Sequence, residues 1–311
     1  MKISIQSGAG IAEFGPEKGY KMYKEAGFEA IDWNIDTALR LTNAGEVVGE
    51  TIFDKELSDI IDYYAEEIEQ MRKNGLTLAQ AHAPYPAYVP QKPEVLDYMI
   101  EVYKKCIAFC EYAGCKNLII HGISPKWLED EEEWNASKAE ADALNWKLYS
   151  SLIPALLETN VTVCLENIFL VRNGEFRGGH CSDPYETAEV IDQLNRAAGK
   201  ECFGLCFDTG HYNLLKENMS EYLRIVGKRL KTLHIHDNDG TNDLHRAPYT
   251  GNIAWKEFCE ALAEIGYEGD LNFETFMQTT LRRVDEEMIM PWLKLIASCG
   301  EFFRNKINAC L

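Results

Sequence analysis

The stretch VTVCLEN, Val161 to Asn167, alternates β-branched and apolar residues and then delivers a carboxylate, Glu166, at its end. Three further runs repeat that design: FGLCFDTGH reaches Asp208, TLHIHDND carries His234, and DLNFET closes on Glu274. Three carboxylates and an imidazole form a donor set for a divalent cation with open coordination positions, and strand ends are rigid enough to hold one. Such a set points to an enzyme.

Working outward, the same kind of β-rich run recurs at Lys2 to Gln6, Glu29 to Ile35, Leu76 to His82, Asn117 to Gly122, Val161 to Asn167, Phe203 to Asp208, Lys231 to Asp237 and Asp270 to Thr275. Segments of helical periodicity lie between them. From Leu57 to Lys73, Ile60, Ile61, Tyr64, Ile68 and Met71 share one face, and Gly75 is placed as a stop. Pro93 to Ala113 repeats the pattern up to Gly114, and further helices are expected over Ala136 to Glu158, Asp183 to Ala198, Ser220 to Val226, Ala254 to Ile265 and Asp285 to Phe303. Asp183 before Pro184 has the chemistry of an N-cap. Strand–helix repetition of this kind without a break in composition predicts a single α/β domain over 1–311, a closed (β/α)8 barrel, with a doubly wound open sheet as the runner-up. In a barrel the C-terminal strand ends share one rim, and His82, His121, Glu166, Asp208, His234 and Glu274 all fall there.

Bulk composition narrows the partners. With 31 basic residues against 50 acidic ones the formal charge is −19, a field that repels nucleic-acid backbones and anionic lipid. No apolar run approaches the roughly 18 residues of a membrane helix, and MKISIQSGAG lacks the form of a signal peptide, so a soluble cytoplasmic protein is expected. The ten cysteines sit mostly in apolar runs with no C-x-x-C pair, which suits buried, reduced thiols.

Two connections exceed the usual roughly two to six residues of a βα loop and are expected to act as lids: 36–53 and 168–182. The second carries Arg172, Arg177 and His180, candidates for contact with a hydroxylated or phosphorylated substrate, or simply solvated residues. Trp33, near the end of the second strand, would either wall a sugar pocket or pack in the core. Gly8, Gly10 and Gly15 have the spacing G-x-G-x-x-x-x-G with Glu13 inside; this is not a dinucleotide fingerprint, and the segment is read as the first βα loop. No G-x-S-x-G elbow or phosphate-binding P-loop is present.

HAP at His82, LENI at Glu166, DTGH from Asp208 to His211, HIHDNDG from His234, DLH from Asp243 to His245 and NFE at Glu274 together resemble the xylose isomerase-like barrel superfamily. That superfamily includes sugar-phosphate isomerases and epimerases, ketose 3-epimerases, inosose dehydratases and isomerases, and type IV apurinic endonucleases. The likeness runs from about His82 onward. It implies one divalent metal (Mn2+, Mg2+, Co2+ or Zn2+) on Glu166, Asp208, His234 and Glu274. His234 is preferred over His236 for its H-x-x-D spacing to Asp237, although both project to the same side of their strand. It further implies that Glu166 and Glu274 act as acid and base on a sugar, sugar phosphate or cyclitol, through an enediolate that the cation stabilises. His82, His121, His211, His236, Asp243 and His245 are candidates for further metal or substrate contacts. Part of that set resembles the three-zinc arrangement of the endonucleases, so up to three Zn2+ and a phosphodiesterase are the rival reading. The superfamily's chemistry also leaves room for a sugar or cyclitol dehydratase or lyase using the same enolisation, and for a non-catalytic metal-bound sugar-binding protein. The expected partner is a small carbohydrate, with neither nucleic acid nor membrane, and the resemblance is compatible with a homo-oligomer.

Overall fold

The computed structural model describes residues 1–42, 45–47 and 49–310. Eight parallel strands form one sheet: β1 (Ile3–Gln6), β2 (Ala30–Asn34), β3 (Thr77–His82), β4 (Asn117–Ile120), β5 (Thr162–Glu166), β8 (Phe203–Asp208), β9 (Leu230–His234) and β10 (Leu271–Phe273). β6 (Phe169–Arg172) and β7 (Glu175–Gly178) make a separate antiparallel hairpin. The order is β10-β1-β2-β3-β4-β5-β8-β9, and the seam between β9 and β10 is joined by a bridge between Ile235 and Phe273. Ile235 donates its N–H to Asn272 O at 2.8 Å, and Glu274 donates its N–H to Ile235 O at 3.1 Å. The sheet thereby closes into the expected (β/α)8 barrel.

Each of the eight expected strands is present: β8 has the expected bounds, β9 begins one residue early and ends three early, and the others are trimmed by one or two residues at one or both ends. The helices follow with instructive differences. The expected helix over Leu57 to Lys73 is two, α2 (Leu57–Tyr63) and α3 (Ala65–Lys73), because Tyr64 leaves the helical basin at φ −96°, ψ 5°. That break accompanies the wedging of Tyr64 against Trp33 and Phe109, at ring centroid distances of 5.0 and 5.1 Å. The segment expected to be the first βα loop is instead α1 (Gly8–Ala26), which begins directly after β1. Its glycines serve close packing: a Cβ at Gly10 would stand 2.3 Å from the Tyr23 hydroxyl, which accepts the Gly10 N–H at 2.8 Å. Gly15, at φ 74° ahead of Pro16, absorbs a kink.

After α4 (Glu94–Ala113), α5 (Glu131–Ser150) starts five residues earlier than the expected Ala136, capped by Asp130 accepting the Glu133 N–H at 3.0 Å, with Glu131, Glu132 and Glu133 at its positive end. α6 (Ile153–Leu157) restarts at Pro154, which cannot continue an uninterrupted helix. α7 (Pro184–Ala198) is capped by Asp183, and α8 (Thr209–Leu215), α9 (Met219–Val226), α10 (Trp255–Glu264) and α11 (Glu286–Cys310) complete the outer layer. Nine cysteines are buried, Cys310 is exposed, and none is paired. No helix among the described residues is long and apolar enough to cross a membrane.

Trp33 belongs to the layer between barrel and helices. It is 1% exposed, and its indole N–H donates to Glu67 Oε2 at 2.9 Å. Replacing its neighbour Phe109 by Ala should lower unfolding free energy by about 3–5 kcal/mol, because the surrounding aromatics cannot close the gap; urea unfolding of the F109A protein checks this.

Candidate metal and acid/base site

Every histidine of the chain's seven except His180 reaches the C-terminal rim of the barrel, together with Glu166, Asp208, Asp243 and Glu274. Strand ends supply His82, Glu166, Asp208 and His234, while Glu274 follows the end of β10 by one residue. His211 comes from the first turn of α8, where Asp208 caps the helix by accepting the His211 N–H at 2.6 Å. Asp243 and His245 come from the loop after β9, and His245 is held at φ 43°.

Four groups each bring one ligand atom per residue within 4.8 Å of one another: Glu166, Asp208 and His234; His82, His121 and Glu166; His211, Asp243 and His245; and His236, His245 and Glu274. In the first, His234 Nδ1 lies 3.0 Å from Glu166 Oε1, 3.5 Å from Glu274 Oε2 and 3.9 Å from Asp208 Oδ2. His236 Nε2 turns to Asp208 at 3.0 Å and to Asp243 at 3.9 Å. His234 is therefore the imidazole facing both glutamates. In the second group His82 Nε2 and His121 Nε2 stand 3.1 Å apart, with Glu166 Oε2 2.9 Å from His121. In the third, Asp243 Oδ2 is 3.0 Å from His245 Nε2 and 3.6 Å from His211 Nε2.

Burial makes these contacts strong. Desolvation alone would raise the Glu166 and Asp208 carboxyls, but His234 and His121 outweigh it at Glu166, and His211 and His236 outweigh it at Asp208, holding both below the ordinary carboxylate range. Burial pushes Glu274 up, His234 pulls it back, and Asp208 and Glu166 repel its charge, leaving it at about 7. Burial would depress His82 and His211, but hydrogen bonding and charge from Glu166 bring His82 up to about 9, and Asp208, Asp243 and Glu166 bring His211 up to about 10. Even so, Glu166 Oε2, His234 Nε2, His236 Nδ1 and Asp243 Oδ1 are buried without an aligned hydrogen-bond partner. Carboxylates and imidazoles with free lone pairs turned toward one another suit divalent cations, so the donor chemistry fits the metal implied by the sequence.

Several supporting residues carry no signal of their own in the sequence. Gln6 donates to Glu274 Oε1 at 2.8 Å, and Asn167 clamps Asp208 by accepting its N–H at 2.7 Å and donating to its carbonyl at 2.9 Å. Tyr85 stacks on His121 at 4.8 Å, Phe169 meets His211 edge-on at 5.1 Å, and Phe276 stacks on His245 at 4.1 Å. These three aromatics line the rim where Trp33 does not.

Arg172 and Arg177, the candidates for substrate contact, both have protein partners. Arg172 is paired with Glu129 at 2.8 Å on the exposed side of the hairpin, and Arg177 lies 3.5 Å above the Trp134 ring. Arg172 therefore fastens the hairpin to the loop before α5, and Arg177 fastens it to α5 itself. His180 is buried beneath that hairpin, 3.2 Å from Asn145 Nδ2, and burial depresses it to about 4. Of the first connection expected to be a lid, 36–53, residues 43, 44 and 48 lie outside the described residues; Leu41 and Val47 form a bridge there. The second is the β6–β7 hairpin.

With this geometry in place, the relatives are informative. The model of the xylose isomerase-like TIM barrel family matches residues 21–296, and the chain belongs to that family. Protein y4fM of Sinorhizobium fredii is 23% identical over 82% of this chain and 79% of its own length. A D-psicose 3-epimerase of Enterocloster bolteae is 28% identical over 30% of this chain and 28% of its own, and a probable endonuclease 4 of Staphylococcus carnosus 25% identical over 57% and 58%. The matches to the epimerase and the endonuclease thus span less than two-thirds of those proteins. Among solved structures, a D-tagatose 3-epimerase-like protein superposes with a TM-score of 0.69 at 20% identity, covering 100% of this chain and 98% of that one.

The depressed His180 gives a pH prediction. Its unfolded value lies near 6.5, so between about 6.5 and 4 the unfolded chain binds the extra proton, and stability is lost as pH falls through that window, by roughly 3 kcal/mol from this group. Urea unfolding of the wild type and of His180→Gln between pH 7 and 4 should show a shallower pH slope in the variant; parallel curves would contradict it.

Proposed function

We propose that this chain is a divalent-metal-dependent isomerase or epimerase of a sugar, sugar phosphate or cyclitol, with the whole chain acting as one barrel domain. The observation that carries the reading is that Glu166 and Glu274, on strands separated by β8 and β9, both face His234 Nδ1 while their proton affinities are driven apart. Two carboxylates turned to one centre, unequal in proton affinity before a cation enters, are the combination a proton transfer on carbon needs. A cation held by Glu166, Asp208, His234 and Glu274 would supply polarisation of a substrate carbonyl and acidify the neighbouring C–H. Glu166 then removes that proton, and Glu274 returns one, either to the opposite face of the same carbon for epimerisation or to the adjacent carbon for isomerisation. His211 and His245, at the less buried edge, are placed to bind substrate hydroxyls, and Tyr85, Phe169 and Phe276 to cover its C–H faces. Loss of a β-hydroxyl after the same deprotonation would make the enzyme a dehydratase. If no proton is exchanged, the chain is a binding protein.

A second reading is favoured by one specific observation. His82, His121 and Glu166 on one side, and His211, Asp243 and His245 on the other, flank the central group as two further sets of metal-type donors. Three Zn2+ ions there would suit phosphodiester hydrolysis, and one relative is a probable endonuclease 4. The charge of −19 weighs against a DNA substrate.

Elemental analysis of the purified protein separates the two: one cation per chain is expected, and three zincs would favour the phosphodiesterase. Incubating ketoses, ketose phosphates and inososes in D2O should introduce deuterium next to the carbonyl, detected by mass spectrometry. Glu166→Gln and Glu274→Gln should each lower kcat by about 10²–10⁴-fold with the circular dichroism unchanged; full activity in both would refute the assignment.

A further inference from the structure

One charged residue beneath the rim is neither part of the donor groups nor explained by packing. Asp32, in β2, is fully buried inside the barrel. Its Oδ2 accepts from Asn272 Nδ2 on β10 at 2.9 Å and from Gln80 Nε2 on β3 at 3.1 Å, and lies 3.3 Å from His234 Nε2 on β9. β1 separates β2 from β10, and β9 lies beyond β10, so these contacts cross the barrel interior. Among the described residues no lysine or arginine pairs with Asp32, and His234 is the one basic side chain within ion-pair distance of it. Removing such a carboxylate from water costs several kcal/mol unless something specific repays it.

The repayment is on the imidazole. His234 Nδ1 faces Glu166, Asp208 and Glu274, and a nitrogen that ligates a cation must offer its lone pair. The ring proton then belongs on Nε2, which makes no aligned hydrogen bond and has the Asp32 Oδ2 carboxylate oxygen 3.3 Å away. We propose that Asp32 is the positioning residue of the metal site: its carboxylate holds the Nε2–H tautomer and the ring plane of His234, so that Nδ1 is directed at the cation. Gln80 fixes the carboxylate in turn, because its amide donates both to Asp32 and, at 3.2 Å, to Leu233 O, the backbone next to His234. Outer-sphere carboxylates of this kind orient a ligating histidine and raise its basicity. The inference rests on the metal-dependent reading above but concerns binding, so it is tested without turnover.

Co2+ titration by visible absorption, on the wild type and on Asp32→Asn, reads it directly. The near-isosteric variant is expected to bind Co2+ about 10–100-fold more weakly with unchanged circular dichroism, whereas a merely structural role would lower Tm and leave Co2+ affinity alone. Equal affinity overturns the role of Asp32 only; a wild type that takes up no Co2+ overturns the metal reading with it. Should D32N fail to fold, 15N NMR of the Zn2+-loaded wild type, with His234 assigned by comparison with H234Q, decides the matter. A protonated Nε2 supports the proposal, and a protonated Nδ1 overturns it.

Discussion

The carboxylates at the barrel rim cannot stand alone. Glu166, Asp208 and Glu274 are each less than a tenth exposed, and any one of them, buried and ionised without compensation, would cost more than a well-packed side chain returns. Interleaved imidazoles supply part of that compensation, and three of the histidines are held by backbone anchors. His82 Nδ1 contacts Ala83 O at 2.9 Å, His211 Nδ1 contacts Asn167 O at 3.0 Å, and His245 Nδ1 contacts Glu274 O at 3.0 Å. Backbone carbonyls thus fix one nitrogen in each of these three rings and leave the other for the centre, an arrangement that suits ligation better than ordinary core packing.

Parallel strands make such a gathering possible. All eight point the same way, so their last residues meet irrespective of their distance along the chain. Below the rim the polar cluster of Asp32, Gln80 and Asn272 sits beside an apolar one in which Ile119, Cys164 and Cys206 are in contact. Small thiols fill the tapering space under His234 without adding charge. Gly210 shows how tight the rim is: a Cβ there would lie 1.8 Å from the His236 ring. That glycine lets α8 begin directly against β9.

Much of this is legible in the chain because strand periodicity and ligand chemistry coincide at the same positions. Glu166 and Asp208 end apolar runs, and only parallel topology explains such placement. What is illegible depends on direction and partnership. Asp32 and Trp33 are neighbours in AIDWN, and alternation sends one into the barrel and the other toward the helices. The lone charged residue within that strand is the signal, but its partners Gln80, His234 and Asn272 lie far along the chain. The partners of Arg172 and Arg177 are illegible for a similar reason. An arginine in a long loop after an active-site strand can reach substrate or scaffold, and the Trp134 ring that claims Arg177 comes from a helix whose capped start at Asp130 lies ahead of the expected Ala136. Glycines near the N-terminus suggest a loop, whereas their use is close approach of α1 to its own Tyr23.

β10 has only three residues, and its union with β9 rests on backbone contacts around Ile235, Asn272 and Glu274. Those contacts flank His234 on one strand and Glu274 on the other, so the clasp that shuts the cylinder and the jaws that face each other across the centre are the same few residues. Pairing the final edge of the sheet therefore also sets these two side chains opposite each other, and an ion gripped by both sides would act as a rivet through that joint.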